Sequence, residues 1–224
     1  MIVVGLDCSG DDLAVGLVVG DHLAGSWRTT ARHRHSALLP GEILSRLQEK
    51  GLTLAEVDGF AIISGPGSYT GLRVGAATIM GLAAEHSVPA AALSSFEFLY
   101  RVYKTKDRRL GCIIPCRGEF YYWCSYVPGE NTGSQVLVLT AAEIVRSLDK
   151  PIRLVGPRVD EFEKYSSASR VDVELIGGAP PDGGGLLALW GKEKIVAGQI
   201  IDWDNYHLNY GPAPGFRQWS RPTR

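Results

Sequence analysis

Nothing in this chain is long and apolar enough to cross a bilayer. No run of roughly 18 apolar residues occurs, so no membrane span is expected. An excess of charge of one sign is also missing. Lys and Arg number 23 against 24 Asp and Glu, a formal net charge of -1, which gives no drive toward nucleic acid or an anionic membrane. Only Arg101–Arg109, with Lys104, Lys106 and Arg108, and the tail residues Arg217, Arg221 and Arg224 are locally basic, and solvated surface is the ordinary role of both. Cysteine is scarce: Cys8, Cys112, Cys116 and Cys124 follow no zinc spacing and make no Cys-x-x-Cys. That excludes a zinc ribbon or a thioredoxin-type pair, and buried, reduced thiols of a cytoplasmic protein are the expectation. The start, Met1 to Asp7, lacks the basic segment of a secretory leader and meets a carboxylate too soon.

Catalytic constellations are lacking too. His33, His35 and His86 have no second histidine at helical spacing beside a carboxylate, so metal ligation is not expected of them. Gly67-Ser68-Tyr69-Thr70-Gly71 does not match the Gly-x-Ser-x-Gly elbow of a serine nucleophile. No Gly-Lys-Ser/Thr follows a glycine loop, and the dinucleotide glycine spacing is absent. The residues contain no assembled catalytic set and no metal seat.

What the chain does have is Ser64-Gly65-Pro66-Gly67-Ser68-Tyr69-Thr70-Gly71-Leu72-Arg73-Val74-Gly75 and the apolar run after it to Ala84. Val57, Phe60, Ala61, Ile62 and Ile63 precede it in the pattern of a buried strand. Gly65, Pro66 and Gly67 end that strand, and Ser68 and Thr70 are candidate caps of the next helix. Bare N–H groups at such a helix start suit an anion, while a tight capping turn needs no ligand at all. From Val74 to Ala84 only Thr78 lies outside the apolar and glycine set, and a helix apolar all round must be covered all round. Gly71, Gly75 and Gly81 each cost about 1 kcal/mol of helix stability relative to Ala, which points to close backbone approach. Either this domain's own core covers the helix, or another chain covers its outer side; the pattern allows both.

With 224 residues, 45% hydrophobic and 21% charged, the chain fits one large or two small globular domains. Strands are expected at 2–7, 13–19 and 23–31, a helix at 35–50, a strand at 57–63, a helix at 71–86, a strand at 88–93 and a helix at 95–103. Lys104 to Arg109 is a charged break. The order then starts again, with strands at 110–116, 119–126 and 135–139, a helix at 141–148, a strand at 152–155, a helix near 159–165 and a strand at 171–176. The Gly183–Gly185 loop, the Leu186–Trp190 segment and a weakly patterned tail follow. This is a βββαβαβα order duplicated, with a shorter second copy. It predicts an α/β protein of two lobes, each a mixed sheet with helices: 1–105 with the glycine loop, and 106–224, whose last residues can pack back on the first lobe. Paired lobes of this kind usually hold a ligand between them. Asp7, ending the first strand before Ser9, could hold a metal-bound phosphate through water, or could simply form an Asx turn. A second acidic turn is not there to complete a clamp: the second lobe opens with Pro115-Cys116-Arg117.

The N-terminal strand with Asp7 and Ser9, the helix entered through His35-Ser36, and above all Gly65-Pro66-Gly67-Ser68-Tyr69-Thr70-Gly71-Leu72-Arg73-Val74-Gly75 resemble the bacterial TsaB (YeaZ) family. Pro214-Gly215-Phe216-Arg217 is similar to that family's closing Pro-x-Tyr-x-Arg, and Pro115-Cys116-Arg117 keeps only the arginine of its Asp-Ala-Arg. The resemblance implies an actin/Hsp70/sugar-kinase-like fold and a part in making the threonylcarbamoyl modification of adenosine in tRNA. In that family the catalytic paralogue TsaD carries a metal-binding His-x-x-x-His, and here Ser95 and Leu99 stand at those places. The resemblance therefore implies a non-catalytic scaffold that binds no cofactor alone. Its implied partners are a TsaD-type subunit, which uses a metal and an ATP-derived threonylcarbamoyl-adenylate, and a TsaE-type ATPase; tRNA is met only through the complex. The alternative class is a nucleotide-dependent enzyme or glycopeptidase-like hydrolase. For the scaffold, the helices at 36–50 and 71–86 are expected to lie side by side. They would offer Leu39, Ile43, Leu47, Leu72, Gly75, Ala76, Ile79, Met80 and Ala83 to a matching pair on the partner. The result is a bundle of four helices burying about 800 Å² per side, satisfied by homodimerisation when the chain is alone.

Overall fold

The computed structural model describes residues 1–32, 34–167, 169–180 and 182–212. The described chain divides into two compact units. The first contains Met1–Val102 and Gly178–Asn209; the second contains Tyr103–Gly177 and the residues from Tyr210 on.

The first unit is built on a five-stranded sheet in the order β3-β2-β1-β4-β5, with β1 Ile2–Asp7, β2 Asp12–Val19, β3 His22–Thr30, β4 Gly59–Gly65 and β5 Ala90–Ser94. The meander β1-β2-β3 is antiparallel, and β4 and β5 join it in parallel. Successive strand residues point to opposite faces, and both faces here are apolar. Val4, Leu6, Phe60 and Ile62 meet Leu39, Ile43 and Leu47 of α1 (His35–Gln48) and Ile79 and Ala83 of α2 (Tyr69–His86). Val3 and Val18 turn the other way, onto Ala188 of α6 (Gly183–Val196). On that side Ala61, Ile63 and Leu93 pack with Leu187 and with Phe98 of α3 (Ser95–Tyr103).

Helix α6 approaches the sheet almost backbone to backbone. A Cβ on Gly16 would lie 2.0 Å from the carbonyl of Gly184, and one on Gly191 would lie 2.1 Å from the Cβ of Ala61. The sequence reading placed Gly183–Gly185 as a loop and 106–224 in the second lobe, with its last residues able to pack back on the first. In the structure those glycines open a helix, and Gly178–Asn209 return to the first unit. The physical reason is close contact: these glycines are spaces for strands, not turn formers.

The second unit repeats the topology. Its sheet has the order β10-β9-β6-β7-β8, with β6 Arg109–Pro115, β7 Phe120–Tyr126, β8 Leu137–Thr140, β9 Ile152–Val155 and β10 Val173–Ile176. The antiparallel and parallel pairings match those of the first sheet strand for strand. Its core, with Ile113, Tyr121, Trp123, Ile144, Leu154 and Phe162, is closed by α4 (Ala141–Ser147), a 3-10 turn at Val159–Phe162 and the single turn α5 (Glu163–Ser166).

Candidate functional site

Strand β4 delivers the glycine stretch to the start of α2. Gly65 has φ +107°, and the Gly65–Pro66 peptide is cis. Ser68 caps the helix, its Oγ accepting from the Gly71 N–H at 3.2 Å. The space the glycines leave is filled by the turn after β1. A Cβ on Gly67 would lie 2.5 Å from the Ser9 carbonyl oxygen, and one on Gly71 would lie 2.0 Å from that of Cys8. The Ser68 N–H donates to the Ser9 carbonyl at 2.7 Å. The Asp7 carboxylate is engaged locally, accepting from the Ser9 N–H at 2.8 Å, the geometry of an Asx turn. Thus Asp7, Ser9 and Gly65–Gly71 do come together, but onto one another, while Thr70 and Arg73 face outward. Ser95, with little exposed surface, donates through Oγ to the Pro66 carbonyl at 2.6 Å and ties the loop from the other side. Leu99 is buried in α3.

The remaining candidates sort simply. His35 is buried with Nε2 3.3 Å from the Asp12 carbonyl, His86 lies in the last turn of α2, and His33 lies outside the described residues. The basic stretch is neutralised: Arg101 pairs with Glu193, Arg108 with Asp172 and Glu174, and Arg109 with Asp149. Arg217, Arg221, Arg224 and the Pro214–Arg217 motif lie outside the described residues. The Cys8 and Cys112 thiols are pushed up by burial, the opposite of an activated nucleophile. Among the described residues, no three side chains of His, Cys, Asp or Glu gather as a metal seat, and no helix is long and apolar enough to cross a membrane.

Helices α1 and α2 lie side by side on one face of the first sheet. The set of contact residues read from the sequence needs correction. Leu39 and Ile79 have 0% exposure, and Ile43, Leu47, Leu72 and Ala83 have at most 3%; Gly75 is buried as well, its Cβ position 3.4 Å from Cys8. These seven fill the space between helix and sheet and cannot meet a partner. The reason is helical phase: Leu72, Gly75, Ile79 and Ala83 of α2 and Leu39, Ile43 and Leu47 of α1 recur at spacings of three and four, which keeps them on the inner side of each helix. Of the nine, only Ala76, half-buried, and Met80, exposed, face away. The outward stripe of α2 is Tyr69, Arg73, Ala77, Met80 and Ala84, and that of α1 includes Ala37, Gly41 and Leu44. Tyr69, Met80 and Leu44 are 58%, 45% and 52% exposed, a small apolar surface with long side chains along it. The seams of buried Leu and Ile at Leu72, Ile79, Leu39 and Ile43 contained the signal for this phase.

The units, the strand order and the closed glycine loop define an α/β protein of the actin/Hsp70-like class. An activator of 2-hydroxyisocaproyl-CoA dehydratase from Clostridium difficile, solved with bound ADPNP, shares the fold at a TM-score of 0.53 and 10% identity, over 89% of this chain and 97% of its own. A family model described as "TsaD: tRNA N6-adenosine threonylcarbamoyltransferase" matches residues 25–171. The chain belongs to that family, and among its relatives it is similar to proteins named TsaB or YeaZ. It is 25% identical over 166 residues to the tRNA threonylcarbamoyladenosine biosynthesis protein TsaB of Bacillus subtilis, covering 70% of this chain and 71% of the relative. It superposes on YeaZ from Pseudomonas aeruginosa at a TM-score of 0.72 and 23% identity, covering 91% of this chain and 96% of the other.

Proposed function

We propose that this chain serves tRNA N6-threonylcarbamoyladenosine biosynthesis as a non-catalytic scaffold in the cytoplasm. It binds and supports a TsaD-type catalytic subunit, and a TsaE-type ATPase joins the assembly. One observation carries the reading: the loop that would receive a phosphate is closed on itself. The Asp7 carboxylate accepts from the Ser9 N–H, the Ser9 carbonyl from the Ser68 N–H, and the Pro66 carbonyl from the Ser95 hydroxyl, and by the family resemblance Ser95 and Leu99 stand at the places of the catalytic paralogue's two metal-binding histidines. With this loop closed among the described residues, the contribution we propose is one of contact, through the outward α1–α2 face. In isolation the same face pairs with a second copy.

The test is reconstitution. The purified chain is mixed with the catalytic subunit and ATPase of the same genome, and modified adenosine in tRNA is followed by mass spectrometry. The expected result is no modification by the chain alone, loss of activity when it is omitted, and a stable complex with the catalytic subunit on a sizing column. Micromolar Mg-ATP binding to the isolated chain by calorimetry, lost in Asp7→Ala, would replace this reading with the nucleotide-enzyme one.

A further inference from the structure

One feature of the outward face is not explained by apolar covering. Near the start of α2 the Arg73 guanidinium lies over the Tyr69 ring, its carbon 5.3 Å from the ring centre, and its Nη1 donates to the Tyr69 hydroxyl at 2.8 Å. The two are one helical turn apart and both exposed. Among the described residues most arginines reach a carboxylate, Arg28, Arg46, Arg101 and Arg158 among them. Arg73 has none within ion-pair distance among the described residues; it is held in place by a neutral phenol. It also stands in the positive half of its helix, where the dipole gives a cation no support. No ion pair among the described residues accounts for the placement; what holds it is the contact with Tyr69.

We propose that Tyr69 and Arg73 form a preorganised clamp for a carboxylate on the docking partner, the polar anchor of an otherwise apolar contact; this rests on the docking reading given above. The chemistry is specific. With Nη1 committed to the phenol, the Nε–Nη2 edge of this exposed residue remains to pair with the two oxygens of a carboxylate. Stacking fixes the guanidinium before the encounter, so little side-chain freedom is lost on binding. Tyrosine and arginine are also the residue types that dominate interface energies. The occupant is therefore a protein surface of the catalytic subunit that is apolar opposite Ala77, Met80 and Leu44 and carries an Asp or Glu opposite Arg73.

The experiment titrates the full chain against the catalytic subunit by calorimetry, at low and at raised salt, with circular dichroism verifying that each variant is folded. Arg73→Ala should weaken binding by about 30-fold and Arg73→Glu by more. Arg73→Lys should fall short of the native residue, because an ammonium cannot make the paired bond. Tyr69→Phe should lose less than Tyr69→Ala, and native binding alone should weaken with salt, Arg73→Ala being nearly insensitive. Native affinity in Arg73→Ala with unchanged salt dependence overturns the clamp. If Met80→Glu still abolishes binding in that case, docking on this face stands without it; if Met80→Glu also binds normally, the docking reading falls too. Loss of the homodimer by Arg73→Ala with the heterocomplex intact would place the carboxylate on a second copy, and that also overturns the proposal.

Discussion

The two sheets of this protein have the same strand order and pairing, yet the chain leaves them differently. Strand β4 ends in Gly65-Pro66 and strand β9 in Gly156-Pro157; both glycines have positive φ, +107° and +136°. In each case the Cβ position is blocked by a carbonyl oxygen, that of Asn209 at 2.1 Å and that of Ile113 at 2.0 Å. The two turns thus share a positive-φ glycine set against a carbonyl, although the cis peptide is found at Gly65–Pro66 and not at Gly156–Pro157. After β4 the turn launches the 18-residue helix α2; after β9 it gives only a 3-10 turn and the four residues of α5. Duplication preserved the frame, and the long, small-residue helix is what distinguishes the first unit. The coverings differ as well. The first sheet meets α6 through glycine backbones, whereas the second fills its core with Tyr121, Trp123 and Phe162.

One of the two largest expected effects separates those two ways of covering a sheet. Gly184→Ala places a methyl group 2.6 Å from the Val15 carbonyl, so α6 must lift from the sheet. A loss of about 2–3 kcal/mol is expected even after the alanine's gain in helix propensity. The same methyl at Gly177 of the second unit meets only Val159 at 3.5 Å, an ordinary contact, and should change stability by no more than about 0.5 kcal/mol. Urea unfolding of both variants makes the comparison, and equal losses would mean that α6 is not seated on the strands. A second contrast lies within α2. Ile79→Ala removes a fully buried side chain and should cost about 2–4 kcal/mol. Its exposed neighbour should behave otherwise: Met80→Ala stays within about 0.5 kcal/mol in the same unfolding assay. Comparable losses at both positions would erase the distinction between an inner and an outer face.

Much of this was legible in the residues, and the exceptions share a cause. Alternation and apolar runs located the strands and the helices through α3, because large side chains carry a clear period. The duplicated order followed from them. Helix α6 was misread because Gly183, Gly184 and Gly185 signal a turn and a close approach in the same letters. Only the strand partner, Gly5 or Gly16, decides between them. The face of α2 was misassigned for a related reason. Ala76, Ala77, Gly81 and Ala84 are at ease inside or outside, so an all-apolar helix gives no phase unless its few large residues are weighted above the small ones. Likewise Asp7 and Ser9 read as a possible phosphate site separate from the glycine loop, and only the fold reveals that their turn packs against Gly67 and Gly71.

The smallest expected effect returns to the turn after β9. Arg158, at φ +61°, donates to Glu161 through Nε at 2.6 Å and Nη2 at 2.8 Å, and the Tyr121 hydroxyl donates to the same carboxylate. The Arg158 bonds, then that of Tyr121, hold the Glu161 carboxyl below the usual glutamate range. A group whose folded pKa is depressed contributes stability that is present above its unfolded value, about 4.3. That contribution is lost as pH falls through the lower folded value. Glu161 is largely solvent-facing, so the contribution is at most about 0.5 kcal/mol. Glu161→Gln should therefore be slightly less stable than the native chain at pH 7, and the two should converge below about pH 4. Chemical unfolding followed at several pH values reads the difference. Because the closed turn after β4 has no such ion pair among its described contacts, Ser68→Ala, which removes the α2 cap instead, should cost about 1 kcal/mol with no pH dependence of its own. A pH-independent Glu161→Gln would instead mean that the two Gly-Pro turns are held by the same means.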